Sequence, residues 1–205
     1  MDLMHQLADC ILEAFSERGH KIEKAVQSDR AFRRTRRPQS SMGRELVLST
    51  IDERATGLGL GRIPVVGGGC DVQCLVEEDH TDRRFRVLKA DPDPETGGYD
   101  ILCTSESIMT ISDAEPDSLY RHERWVMAYT VDDTGMIVDI FAARVDGLTD
   151  DRVPRLRLGP ITPLGTATAP IDPNTGFQPD DEDDFGVSFD DDEDDTAEGE
   201  IGQAM

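Results

Sequence analysis

Leu3, Leu7, Ile11 and Phe15, with Met4 and Cys10 beside them, recur three and four residues apart near the start of the chain. That spacing puts them on one helical face, predicting a helix over residues 2–17 with Asp2 at its cap and Gly19 as its stop. Ile22, Ala25, Val26 and Phe32 continue the period weakly through a basic stretch. Pro38-Gln39-Ser40-Ser41 interrupts it. A further helix is expected from Met42 to Ala55, capped by Ser40 or Ser41, with Leu46, Val47 and Ile51 inward.

From Ile63 onward the period changes to two. Val72, Cys74 and Val76 alternate with Asp71, Gln73 and Glu77; Phe85 and Val87 alternate with Arg84 and Arg86; Tyr99, Ile101 and Cys103 alternate with Asp100 and Thr104. These are strand patterns. Trp125, Met127 and Tyr129 form another, joined through Asp132-Asp133-Thr134-Gly135 to a strand from Ile137 to Val145, a connection suited to a hairpin. A last short strand holds Leu156 and Leu158, after which Gly159-Pro160-Ile161-Thr162-Pro163 is expected to begin a linker. Helices followed by a run of strands with few helices between them predict an α+β fold: N-terminal helices, then a mainly antiparallel β-sheet. The expected organisation is an N-terminal helical and basic region over 1–40, a compact α+β domain over 41–160, and a linker with an acidic tail over 161–205.

Charge separates the tail from the rest. The chain of 205 residues has a formal net charge of -22, and residues 161–205 hold fourteen Asp or Glu and no Lys or Arg. Two acidic runs, Asp180–Asp184 and Asp190–Asp195, flank Phe185-Gly186-Val187-Ser188-Phe189. Like charges at that density cannot bury enough apolar surface to offset chain entropy, so the acidic C-terminal tail is expected to be disordered. No run of eighteen apolar residues occurs, and the N-terminus lacks a cationic region leading into an apolar one. Neither a membrane span nor a secretory signal is expected, and the location expected is cytoplasmic.

Few motifs carry chemistry. Gly57-Leu58-Gly59-Leu60-Gly61 and Gly67-Gly68-Gly69 lie between a helix and a strand, the reverse of a phosphate loop's order, and no Gly-Lys-Ser/Thr is present. Cys70 and Cys74 are spaced for one face of a strand, with His80 beyond, but no second pair supplies a zinc set, and buried packing is expected of them. His122 and Glu123, between Arg121 and Arg124, read as a solvated strand entrance. No metal and no cofactor is expected. Glu45 on a helix, Asp71 opening one strand and Lys89 closing the next do form an order of interest. It resembles the metal site of PD-(D/E)XK nucleases over residues 45 to 90, and the resemblance implies a divalent-cation site with Lys89 acting on water. The second strand acid of that motif is Val87 here. The resemblance therefore implies a degenerate site, or one completed by another ligand such as Glu77 or Asp91.

The basic stretch is the counterpart of the tail. From Arg18 to Arg44 there are nine Lys or Arg against two acids, and Arg30, Arg33, Arg34, Arg36 and Arg37 fall within eight residues around Phe32. Such an arm suits nucleic-acid phosphates, or the protein's own tail. The function expected from the sequence is that of a noncatalytic interaction or regulatory protein. Its tail, with Phe185, Val187 and Phe189 as apolar anchors, engages a basic protein surface or imitates nucleic-acid charge. The rivals are the nuclease and a structural subunit docking into a larger assembly through the stripe of its first helix.

Overall fold

The computed structural model describes residues 1–65, 67–94, 96–103 and 119–167. The chain divides into two units, Met1–Pro170 and Ile171–Met205, and every described residue belongs to the first. The acidic tail and Thr104 lie outside the described residues.

Two helices precede the sheet: α1 (Asp2–Ser28) and α2 (Arg37–Arg54), joined through a 3₁₀ turn at Phe32–Arg34. The strands are β1 (Gly61–Val65), β2 (Gly69–Val76), β3 (Thr81–Lys89), β4 (Asp91–Pro92), β5 (Tyr99–Asp100), β6 (Arg121–Val131), β7 (Ile137–Leu148) and β8 (Leu156–Thr166). Six of them form one sheet in the order β1-β2-β3-β6-β7-β8, while β4 and β5 pair separately. All neighbours in the large sheet are antiparallel except β3 and β6, which are parallel. The expected α+β class with a mainly antiparallel sheet is the class observed. None of the helices described is long and apolar enough to cross a membrane.

The apolar stripe of α1 is core. Met4, Leu7, Ala8, Ile11 and Phe15 are buried with Val47 and Ile51 of α2 against Val72, Phe85, Met127 and Ile140 of the sheet. Residues 1–40 thus supply side chains to the same core as the strands, and the stripe is not free to dock elsewhere. His5 Nδ1 donates to the carbonyl of Leu164 on β8 at 3.0 Å, fixing α1 over the sheet edge. A second apolar cluster lies on the opposite sheet face, with Ile101, Val126, Ala128, Phe141 and Val145, where Tyr99 stacks on Phe141 at 4.2 Å between ring centroids. With apolar layers on both faces, β6 is a central strand.

Several boundaries differ from the sequence reading. Gly19 does not end α1; it is buried inside the helix, and a Cβ there would stand 2.5 Å from the Sδ of Met136. The glycine permits close approach to the β6–β7 hairpin, and the helix runs on to Ser28. Pro38 lies in the first turn of α2, where a missing N–H costs no helical hydrogen bond, so it opens the helix instead of interrupting it. The stretch Gly159–Pro163 is part of β8. As an edge strand, β8 can carry Pro160 and Pro163 without breaking an inner ladder. At the hairpin, Asp132 Oδ1 accepts from the N–H groups of Thr134 (2.8 Å) and Met136 (2.9 Å), and Gly135 takes φ 82°, the left-handed conformation the turn requires.

Candidate polyanion-binding corner

The connection between the helices is built by local hydrogen bonds. Asp29 Oδ1 accepts from the N–H of Ala31 at 2.7 Å, and the Asp29 carbonyl accepts from Phe32 N–H at 3.2 Å, a short polar turn that closes the corner. Every residue from 27 to 37 is exposed. The corner therefore presents Arg30, Arg33, Arg34, Arg36 and Arg37 to solvent, with Phe32 44% exposed among them. Among the described residues only Arg36 has an ionic partner, Asp133 at 2.9 Å, and that pair is open to water. Such a pair holds its partners weakly.

The helix that follows adds to the positive charge. α2 has no side-chain cap, no acid in its first turn, and Arg36 as its N-cap residue. A helix N-terminus already carries partial positive charge, so arginines there act against helix stability and favour an incoming anion. Immediately beside it a cleft of about 220 Å³ opens between α2, the end of β3 and the β6–β7 hairpin, lined by Arg36, Ser40, Arg44, Lys89 and Tyr129 among others. A pocket of about 150 Å³ shares Ser40, Arg44, Lys89 and Tyr129 and is floored by Val47 and Val87. Arg44 Nη2 donates to the carbonyl of Gly68 at 2.8 Å, and Lys89 Nζ lies 3.2 Å from Asp91. Burial pushes the Tyr129 phenol up to about 12 against the opposing charge of Arg44, so it stays protonated and can donate.

The structure does not bring the nuclease trio together. Asp71 and Lys89 lie on opposite faces of the sheet. Asp71 is paired across strands with Arg86, which donates through Nε to Oδ1 and through Nη2 to Oδ2 at 3.3 Å. Lys89 shares the face of Phe85 and Val87, toward the helices, and Glu45 is exposed on α2. No group of three or more metal-ligating side chains occurs among the described residues. Cys70 and Cys74 are buried in the helix-facing core, where burial raises both thiols, that of Cys70 to about 11; His80 is in the β2–β3 turn, edge-on to Tyr120. Phe185, Val187 and Phe189 lie outside the described residues.

Residues 121–124 are strand, not a solvated entrance. His122, Glu123 and Arg124 are partly buried in β6. Burial pushes the Glu123 carboxyl up, but hydrogen bonds from Trp125 Nε1 (3.2 Å) and Arg83 Nε (3.1 Å), with the charges of Arg83 and Arg121, outweigh it and hold the carboxyl below its usual range. The signal was the alternation of Asp82, Arg84 and Arg86 along β3, which reads equally well as a wet face. No known protein-family model matches the chain, and neither a curated protein nor a solved structure was found to match it.

Proposed function

We propose that this is a noncatalytic, cytoplasmic interaction protein that binds a polyanion, with nucleic acid as the fitting class, through the arginine corner at the start of α2. The carrying observation is the crowding of Arg33, Arg34, Arg36 and Arg37 at an uncapped helix N-terminus. Electrostatics at that end oppose the arrangement unless an anion completes it. Phosphates arriving there gain charge-assisted hydrogen bonds from exposed guanidinium groups that need no existing pair broken, Arg36 excepted. Phe32 offers a stacking surface within the same exposed stretch.

The acidic tail gives this reading its regulatory side. Its two acidic runs carry the charge pattern of a polyanion and compete with nucleic acid for the arginines, or engage a basic surface on another protein through Phe185, Val187 and Phe189. Fluorescence anisotropy with a labelled oligonucleotide tests both halves. Deleting residues 172–205 is expected to tighten binding, most at low salt, and replacing Arg33, Arg34, Arg36 and Arg37 by Ala is expected to remove most of the gain. Binding unchanged by the deletion across a salt series would overturn the competition. Binding unchanged by the four substitutions would overturn the corner as the site.

A further inference from the structure

The sheet face turned away from α1 and α2 carries a charged lattice next to its apolar cluster. Three strands align it in rows: Leu75, Asp82 and His122; Gln73, Arg84 and Arg124; Asp71, Arg86 and Val126. Neighbours across strands are about 4.8 Å apart and same-face residues along a strand about 7 Å, so these side chains form one group. Two of its three arginines are neutralised. Arg86 is held by Asp71, and Arg84 donates through Nε to Asp82 Oδ2 at 3.0 Å. Arg124 has no carboxylate partner among the described residues, and its buried Nε makes no hydrogen bond.

Two more buried polar atoms are unsatisfied in the same place. Asp82 Oδ1 has no hydrogen-bond partner although its side chain is only 3% exposed. His122 Nδ1 lies 2.9 Å from Asp82 Oδ2, yet its direction does not make a hydrogen bond. Leaving such groups unmade is costly, and all three belong to two neighbouring rows of β3 and β6. The needs are complementary: a guanidinium N–H requires an anionic acceptor, and a carboxylate oxygen requires a donor. Burial lowers the Arg124 pKa, with Asp71 opposing the effect and Arg86 and Arg84 adding to it.

We propose that Arg124 on β6, next to the Arg84–Asp82 pair on β3, holds a small oxyanion that bears a hydroxyl group, with that hydroxyl donating to Oδ1 of Asp82. The ligand class is inorganic phosphate, whose hydrogenphosphate form keeps a protonated oxygen as the donor at neutral pH; a phosphate monoester, with its second pKa about 6, has mostly lost that proton. Sulfate has the shape and charge but no such proton, and so leaves Asp82 Oδ1 unmade or repelled. The site faces away from the α2 cleft and stands independently of polyanion binding at the corner.

The test is titration of the full chain with inorganic phosphate and with sulfate at constant ionic strength, read by calorimetry and by the Arg Nε–Hε resonances in a ¹H–¹⁵N spectrum. Saturable phosphate binding is expected, with a shift of the Arg124 Hε signal. Sulfate should bind at least about tenfold more weakly, the loss of roughly one hydrogen bond to a charged group. Arg124→Met should abolish the binding, whereas replacing Arg33, Arg34, Arg36 and Arg37 by Ala should leave it intact. Equal binding of the two anions, phosphate binding that survives Arg124→Met, or an Arg124 Hε signal indifferent to phosphate would each overturn the proposal. The last reading needs no variant and holds even if Arg124→Met fails to fold.

Discussion

Removing Asp71 tests whether that carboxylate is a structural counter-ion. Asp71 and Arg86 pair through both guanidinium nitrogens facing the carboxylate, and their side chains are only 8% and 11% exposed. Other cations lie close by, since Arg124 feels the charges of both Arg86 and Arg84. Asp71→Val therefore strands a buried guanidinium among like charges. Breaking a buried pair in this way costs about 3–5 kcal/mol. Replacing both members with apolar residues of similar volume removes the stranded charge, so Asp71→Val with Arg86→Met should recover most of the loss, to within about 1–2 kcal/mol of the original. Urea unfolding of the three proteins, read by Trp125 fluorescence, measures both quantities. A single-variant cost below about 1 kcal/mol, the level of an exposed pair, would refute the reasoning. So would a double variant no more stable than Asp71→Val.

Phe15→Ala should cost about 3–5 kcal/mol in the same unfolding assay, because Phe15 is buried in the core between α1, α2 and the sheet; a near-neutral result would return the α1 stripe to the role of a docking face. Cys70 and Tyr129 are acids whose folded pKa values, about 11 and about 12, lie above their ordinary values of 9.0 and 10.0. Their contribution to stability is therefore complete below about pH 9 and is lost as pH rises through 11 and 12, since the unfolded chain releases those protons first. Spectrophotometric titration should find one tyrosine ionising near 12, and a common ordinary midpoint for all three would contradict this. Glu123, held below its usual range, acts in the opposite direction: Glu123→Gln should lose stability at neutral pH and converge on the parent as acid protonates the carboxyl in both states. With magnesium or manganese the chain should not cleave DNA or RNA, because the sheet separates Asp71 from Lys89; cleavage abolished by both Asp71→Ala and Lys89→Ala would reverse that conclusion.

Periodicity made the two helices, the hairpin and the α+β class legible, because each depends on which residues one element must turn inward. What it could not supply was the identity of the covering layer. Gly19 reads as a stop until Met136, more than a hundred residues later, is placed against it. Pro160 and Pro163 read as linker until β8 proves to be the sheet's outer strand, where a missing N–H is tolerated. The alternation of Val72 with Asp71, and of Phe85 with Arg84 and Arg86, identifies two faces of a sheet but not that the charged face is itself half covered. For that reason Asp82 and Arg124 were not recognisable as site residues, and His122 looked like a turn. The arginine cluster was legible in full from composition. Its position at the positive end of α2 is not, since in the sequence Pro38 reads as a break between the arginines and the helix, whereas it lies in that helix's first turn.

The salt dependence of oligonucleotide binding is the most direct test of the arginine corner. For duplex DNA the logarithm of the association constant falls against the logarithm of salt concentration by about 0.9 for each phosphate neutralised. If Arg33, Arg34, Arg36 and Arg37 each meet a phosphate, replacing all four by Ala should flatten the slope by roughly 3–4 as well as weaken binding at every salt concentration. The same slope for the full chain and for the four-residue variant would mean that phosphates are met elsewhere, and the corner would lose its proposed role.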